Sequence, residues 1–238
     1  MQINNESTYN ELEIFESALN WKTYFGSFIK DLNKGNILEV GAGIGGTTAV
    51  LCNGKAAKWL CLEPDENLID IIEKKIKQGV LSSVCVSGRG TLNDLKDDSP
   101  AYDSILYIDV IEHIADDTVE LRNAYKILKP GGRLIILVPA HNALYSSFDK
   151  ALGHYRRYNK QMLKSILPAN MLIENLYYLD SCGFFASLFN KFFFRQKRPT
   201  QKQIKFWDNF LVPISKVTDK VLRFSFGKSV LLVARKNE

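Results

Sequence analysis

The stretch Ile37-Leu38-Glu39-Val40-Gly41-Ala42-Gly43-Ile44-Gly45-Gly46-Thr47-Thr48 constrains this chain more than any other part of it. It reads as a strand, a tight glycine turn and the start of a helix. Glycines are required there because the backbone must turn sharply and let a ligand approach with no Cβ in the way. Gly41, Gly43 and Gly46 also satisfy the G-x-G-x-x-G spacing of dinucleotide-binding enzymes, so the loop alone leaves the ligand open.

Around this unit, apolar runs at 37–40, 59–62, 84–86, 104–108 and 134–138 alternate with helical patterns. Strands separated by helices imply a parallel sheet covered on both faces. Runs at 172–179 and 229–234 supply a sixth and a seventh strand. At 238 residues the expectation is one α/β domain spanning 1–238. Ile14, Ala18, Trp21, Phe25, Phe28 and Leu32 recur at steps of four and three, one face of a helix that Gly35 is placed to stop. Residues 1–35 are therefore read as an N-terminal helical cap.

Charge is unevenly placed. Residues 1–180 carry a net −4, whereas 181–238 carry +9 and hold ten of the 14 phenylalanines. The span 181–228 is too long for an ordinary connection between the last two strands and is read as a Phe-rich, basic helical insertion. Its second helix, marked by Ile204, Trp207, Leu211, Ile214, Val217 and Val221, is expected to kink at Pro213.

Cys52, Cys61, Cys85 and Cys182 form no C-x-x-C pair and lack clustered histidines for a zinc site, so they read as buried hydrophobes of a reducing compartment. The polar start Met1 to Glu6 has no signal-peptide pattern, and no uncharged apolar run approaches the ~20 residues of a membrane span. The expected location is cytoplasmic, or peripheral at the inner face of the membrane.

Two acids narrow the ligand. Glu39 lies inside the first strand, where a carboxylate is costly unless it meets donors from the loop or a ligand. Glu63 ends the second strand, a position from which a carboxylate accepts both hydroxyls of a ribose.

With these acids, the sequence resembles the class I S-adenosylmethionine-dependent methyltransferases. Leu38 to Gly45 looks like their first motif, Glu63 like their ribose-binding acid, Asp109-Val110-Ile111-Glu112-His113-Ile114 like the Glu-His segment after their fourth strand, and Lys129-Pro130-Gly131-Gly132-Arg133-Leu134 like the turn into their fifth. The span from His141 to Tyr158 looks like a small-molecule subgroup related to the ubiquinone-biosynthesis type. The resemblance implies a Rossmann-like seven-stranded, mostly parallel sheet with the last strand antiparallel, and S-adenosyl-L-methionine as cofactor. It implies cofactor contacts at Glu39, Gly41, Ala42, Gly43, Gly45, Glu63, Pro64, Asp109 and Val110. Gly90-Thr91-Leu92 stands where many relatives carry Gly-Asp, so Thr91 and Leu92 take the adenine contacts of that acid.

Methyl transfer is an in-line displacement at a sulfonium methyl; it needs alignment and, for a hydroxyl acceptor, a group to take the proton. No metal is required. Histidine suits proton transfer at cellular pH, and His154 and His141 are the base candidates ahead of His113, which is assigned with Tyr145, Tyr155, Arg156, Arg157 and Tyr158 to the acceptor. The arginine pair offers a donor fork for a carboxylate or phosphate. A solvated basic turn, or an ion pair with Asp149, is the alternative.

The expected reaction is methylation of a small molecule, at oxygen: a sugar, a quinone-like compound or a lipid-linked metabolite. RNA methylation, a non-catalytic cofactor-binding module and an NAD(P)-dependent oxidoreductase are the alternatives; the acidic main domain and the absence of an RNA-binding motif weigh against nucleic acid. For the insertion, three partners stay open: the core, under a lid; a second copy, in a homodimer; or a membrane surface, through 184–198, where Phe184, Phe185, Leu188, Phe189, Phe192 and Phe193 precede Arg195, Lys197 and Arg198.

Overall fold

The computed structural model describes residues 12–52, 54–95, 101–191 and 199–237. Seven strands form one sheet in the order β3-β2-β1-β4-β5-β7-β6. They are β1 (Gly35–Val40), β2 (Ala56–Glu63), β3 (Cys85–Arg89), β4 (Tyr102–Ile108), β5 (Leu128–Pro139), β6 (Met171–Leu179) and β7 (Ser229–Lys236). The first five pair in parallel, and β7 runs antiparallel between β5 and β6. This is the expected Rossmann-like sheet.

Side-chain alternation along each strand feeds two cores. On one face Ile37, Trp59, Leu106, Ile135 and Leu231 pack beneath the N-terminal helices and the insertion. On the other, Leu38, Ile105, Ile136 and Leu232 pack beneath α5 (Asp117–Ile127) and α7 (Lys160–Ile166). The remaining helix on the β2–β3 side is α4 (Glu66–Lys77), with α3 (Thr48–Leu51) following the glycine loop. The chain leaves β1 toward β2 and returns to β4 on the other side, so the sheet reverses its strand order between β1 and β4. A crevice opens beyond the carboxyl ends of strands at such a point.

The N-terminal cap is helical, but its single face is divided between α1, described over 12–16, and α2 (Leu19–Gly26), broken at Ser17-Ala18. A break frees amides and carbonyls that must find partners. The Asp208 carboxylate accepts from the Asn20 and Trp21 amides at 3.1 and 2.8 Å. Lys22 Nζ donates to the Phe15 and Glu16 carbonyls at 3.0 and 2.8 Å. A tertiary cap from 187 residues away, invisible to periodicity, stabilises the break.

The insertion holds α8 (Ser181–Phe189), α9 (Gln201–Phe206) and α10 (Val212–Val221). In place of a kink at Pro213, a π-helical turn over Trp207–Leu211 joins α9 to α10, and Pro213 sits in the first turn of α10, where its missing N–H costs nothing. Two buried aspartates tie the insertion down. Asp180 accepts from Gly183 N, Trp207 Nε1 and Ser215 Oγ at 2.7–2.9 Å. Asp219 accepts from the Asp180 and Ser181 amides and from the Tyr24 hydroxyl. Phe184 packs on His141, Phe185 and Phe226. Phe192, Phe193, Arg195, Lys197 and Arg198 lie outside the described residues. All four thiols are free, and Cys61 and Cys85 are buried. No described helix is long and apolar enough to cross a membrane.

Candidate active site

A cavity of ≈ 270 Å³ lies at the carboxyl ends of β1, β4 and β5, between the glycine loop and the N-terminal cap. Gly41, Gly43 and Gly45 adopt φ of +68°, +57° and +75°. At Gly41 a Cβ would stand 2.6 Å from Val110 Cγ2, so conformation and space both demand glycine there. Val110 thereby becomes the wall on which the loop closes.

The loop is held by the two acids that the sequence singles out. Glu63 Oε2 accepts from the Gly43 amide at 2.9 Å and Oε1 from the Asp65 amide at 3.2 Å. Burial pushes its carboxyl upward, and these two amides oppose the shift. A carboxylate has about four lone-pair sites, so two remain for a ribose diol. Glu39 is buried, and its Oε2 accepts from Thr48 Oγ1 at 2.7 Å and Trp59 Nε1 at 2.8 Å. Its donors are thus side chains of α3 and β2, and burial still raises its carboxyl to about 7. Pro64 follows Glu63 into the start of α4, capped by Asp65. On the far side Thr91 forms a capping box with Asp94 and Leu92 is buried beneath it, with Gly90 N bonded to the Glu63 carbonyl. The residues expected at the adenosine end are gathered along one edge of the loop, and they leave the walls of the cavity to other groups.

Those walls are Phe15, Trp21, Phe25 and Trp207 on the cap side and Asp109, Glu112, His113, His154, Arg157 and Lys228 on the other. Asp109 follows β4 in the left-handed region at φ 54°, a strained conformation, and lines the cavity. It keeps accessible surface toward the cavity, while the protein packed around it displaces part of its water. That burial raises the carboxyl to about 6, against the pull of His154, Lys228 and Arg157. Burial also lowers His113 to about 4, helped by His154.

The His154 segment is tied to this turn by the Tyr155 amide, which donates to the Glu112 carbonyl at 2.8 Å. The His113 and His154 rings meet edge to face at 4.5 Å. His154 Nδ1 lies 3.2 Å from Asp149 Oδ1, and Tyr145 donates its hydroxyl to the His154 carbonyl. Asp149 also holds Arg157 through Nε at 2.7 Å and a second guanidinium nitrogen at 3.1 Å. Burial alone would raise the Asp149 carboxyl, but His154 and Arg157 hold it well below the usual range.

Several residues assigned to the acceptor are therefore engaged within the protein. Arg157 is spent largely on Asp149, the ion pair weighed from sequence. Arg156 pairs with Asp117 and with the Ala115 carbonyl. Tyr158 is buried with its hydroxyl 2.7 Å from Asp117. Tyr155 is exposed outside the cavity. His141 also stands outside the cavity lining, stacked on Tyr178 at 4.6 Å. Sequence reasoning missed Asp109 and Glu112 as partners of His154, and Lys228, Trp21 and Trp207 as walls. The Glu-His spacing alone carried a signal for Glu112.

A family model described as a methyltransferase domain matches residues 16–196. The chain belongs to the S-adenosylmethionine-dependent methyltransferases. Norajmaline N-methyltransferase of Rauvolfia serpentina is 31% identical over 117 residues, 48% of this methyltransferase and 39% of the plant enzyme, so the match spans about two fifths of that relative. Among solved structures, the YcgJ protein of Bacillus subtilis superposes with a TM-score of 0.59 at 16% identity, covering 90% of this chain and 98% of the other. A geranyl diphosphate methyltransferase in complex with SAM gives 0.63 at 10% identity, covering 90% and 85%. At such identities these two likenesses speak for the fold of the methyltransferase alone.

Proposed function

We propose that this methyltransferase methylates a hydroxyl of a small molecule. The observation that carries the reading is the cavity, with the glycine loop on one side and a cluster of proton-accepting groups, Asp109, Glu112 and His154, on the other. Cradling of the methionine end by Gly41, Ala42 and Gly43 would aim the sulfonium methyl across the cavity toward that cluster. Bound there, S-adenosylmethionine would supply a sulfonium methyl for in-line displacement by the acceptor oxygen, with the sulfonium sulfur as leaving group; the cluster would hold the acceptor O–H and take its proton. Glu39, Gly45, Glu63, Pro64, Thr91, Leu92 and Val110 act as cofactor-binding residues in this reading. His154 serves as the base, with Asp149 orienting it. Aromatic walls at Phe15, Trp21 and Trp207 favour a ring or chain of low polarity. N-methylation is the second reading, favoured by the activity in the plant relative's name.

The full chain, supplied with S-adenosylmethionine and a panel of phenols, sugars, hydroxy acids and amines, is expected to release S-adenosylhomocysteine with a hydroxyl acceptor. Turnover on amines alone would overturn the choice of oxygen, and tight cofactor binding with no turnover on any acceptor would favour a binding module.

We also propose that the insertion meets an anionic membrane surface. Phe206, Phe210, Ile214, Val217 and Val221 recur at steps of four and three, and each is more than half exposed. The acids of these helices, Asp208 and Asp219, are buried, whereas Lys202, Lys205, Lys220 and Arg223 are exposed. An apolar stripe bordered by exposed cations and, among the described residues of these helices, by no exposed acid matches an anionic lipid interface.

A further inference from the structure

Glu112 is fully buried, yet neither of its carboxylate oxygens meets a donor from another described residue. A buried carboxylate without donors is costly and calls for a proton or a cation. Its surroundings offer the ligands of a cation. One donor atom each from Glu112, His113 and His154 lie within 4.8 Å of one another. A tetrahedral ion with bonds of about 2.0–2.1 Å spaces its donors by about 3.4 Å, a contraction that side-chain rotation supplies. Asp109, in the same cavity wall, adds a second carboxylate.

The His154 imidazole is already positioned as a ligand is. Its Nδ1 faces Asp149 Oδ1 at 3.2 Å. A carboxylate behind the ring fixes it and leaves the other nitrogen to a metal. The His113 ring meets it edge to face. Asp149 is fixed in turn by Arg157 and by the Ser146 amide and hydroxyl. Backbone bonding of Tyr155 to Glu112 locks the two segments together.

We propose that Glu112, His113 and His154, with Asp109 beside them, bind one divalent transition-metal ion in the wall of the active-site cavity. Two imidazoles and a carboxylate form a mixed nitrogen and oxygen set that suits Zn²⁺, Fe²⁺, Co²⁺ or Mn²⁺ better than Ca²⁺. The set leaves coordination positions open toward the cavity. An oxygen of the acceptor occupies one of them, which eases loss of the hydroxyl proton; with the ion bound, Asp109 rather than His154 takes that proton. This role rests on the proposed hydroxyl acceptor; the binding of the ion does not. It also departs from the metal-free site expected from sequence.

The test uses the chelator-treated full chain and Co²⁺ as probe, read by its visible absorption, with Zn²⁺ followed by calorimetry. One equivalent is expected to bind. Glu112→Gln and His113→Ala should each weaken binding on the order of 100-fold, measured on variants whose circular dichroism matches wild type. Cys52→Ser with Cys85→Ser should leave it unchanged, since that thiol pair stands apart from the cluster. No binding, or binding lost only with the cysteines, overturns the site. Methyl transfer that proceeds undiminished in chelator with no ion bound overturns the ion's part in the transfer, while the proposed function stands. An ion that binds at these residues in a chain that methylates no hydroxyl supports the site and refutes the hydroxyl reading.

Discussion

Replacing Glu39 by Gln should change how stability depends on pH, because the buried carboxyl keeps its proton to about pH 7 in the folded protein and to about 4.5 when exposed. Below pH 4.5 both states carry the proton and burial costs nothing. Between 4.5 and 7 the unfolded chain ionises while the folded one does not, so stability falls as pH rises. The loss is complete above pH 7. A gap of two and a half pH units at 1.36 kcal/mol each amounts to about 3 kcal/mol. Glutamine still accepts from Thr48 and Trp59 but does not titrate. Urea unfolding of both proteins at pH 5 and pH 8 should therefore show the wild type losing about 2.5 kcal/mol relative to the variant, since part of the loss already lies below pH 5, roughly a 1 M shift in relative midpoint. Other titrating groups cancel in the difference. A wild-type-minus-variant difference that stays constant across this range would refute the burial argument.

Glu63→Ala should weaken S-adenosylmethionine binding by about 1.5–3 kcal/mol in calorimetry, the worth of hydrogen bonds to a charged group. Unchanged affinity would remove Glu63 from the ribose. Asp149→Ala leaves the buried Arg157 without its partner and uncaps α6 (Ser147–Ala151), and should cost about 3–5 kcal/mol of stability by chemical unfolding. The wild type should co-sediment with anionic vesicles, less so at high salt, and Phe206→Ser with Phe210→Ser should abolish this without lowering the melting temperature, since both rings are exposed. Sedimentation that is equal with neutral vesicles, or a large loss of stability in the variant, would exclude a lipid contact.

The sequence carries the sheet and the glycine loop. Both are written in local chemistry: strand-length apolar runs, glycines at positive φ and acids at strand ends act over a few residues. It also marked the N-terminal cap and the insertion, through periodicity and through charge. Where long-range partners fall is set only when the helices assemble on the sheet. The break between α1 and α2 depends on Asp208, and the anchoring of the insertion on Asp180 and Asp219, acids that look like surface residues in sequence. The fate of the Tyr/Arg cluster was decided the same way. Asp117 and Asp149 draw Arg156, Arg157 and Tyr158 inward, because a buried cation or hydroxyl must find an acceptor before it can serve a ligand. The meeting of Glu112 and His113 with His154, about forty residues on, is held by the Tyr155 amide on the Glu112 carbonyl and by Arg156 and Tyr158 on Asp117. Spacing along the chain carries no record of such a contact, since each side of it is locally ordinary and only the fold brings the two together.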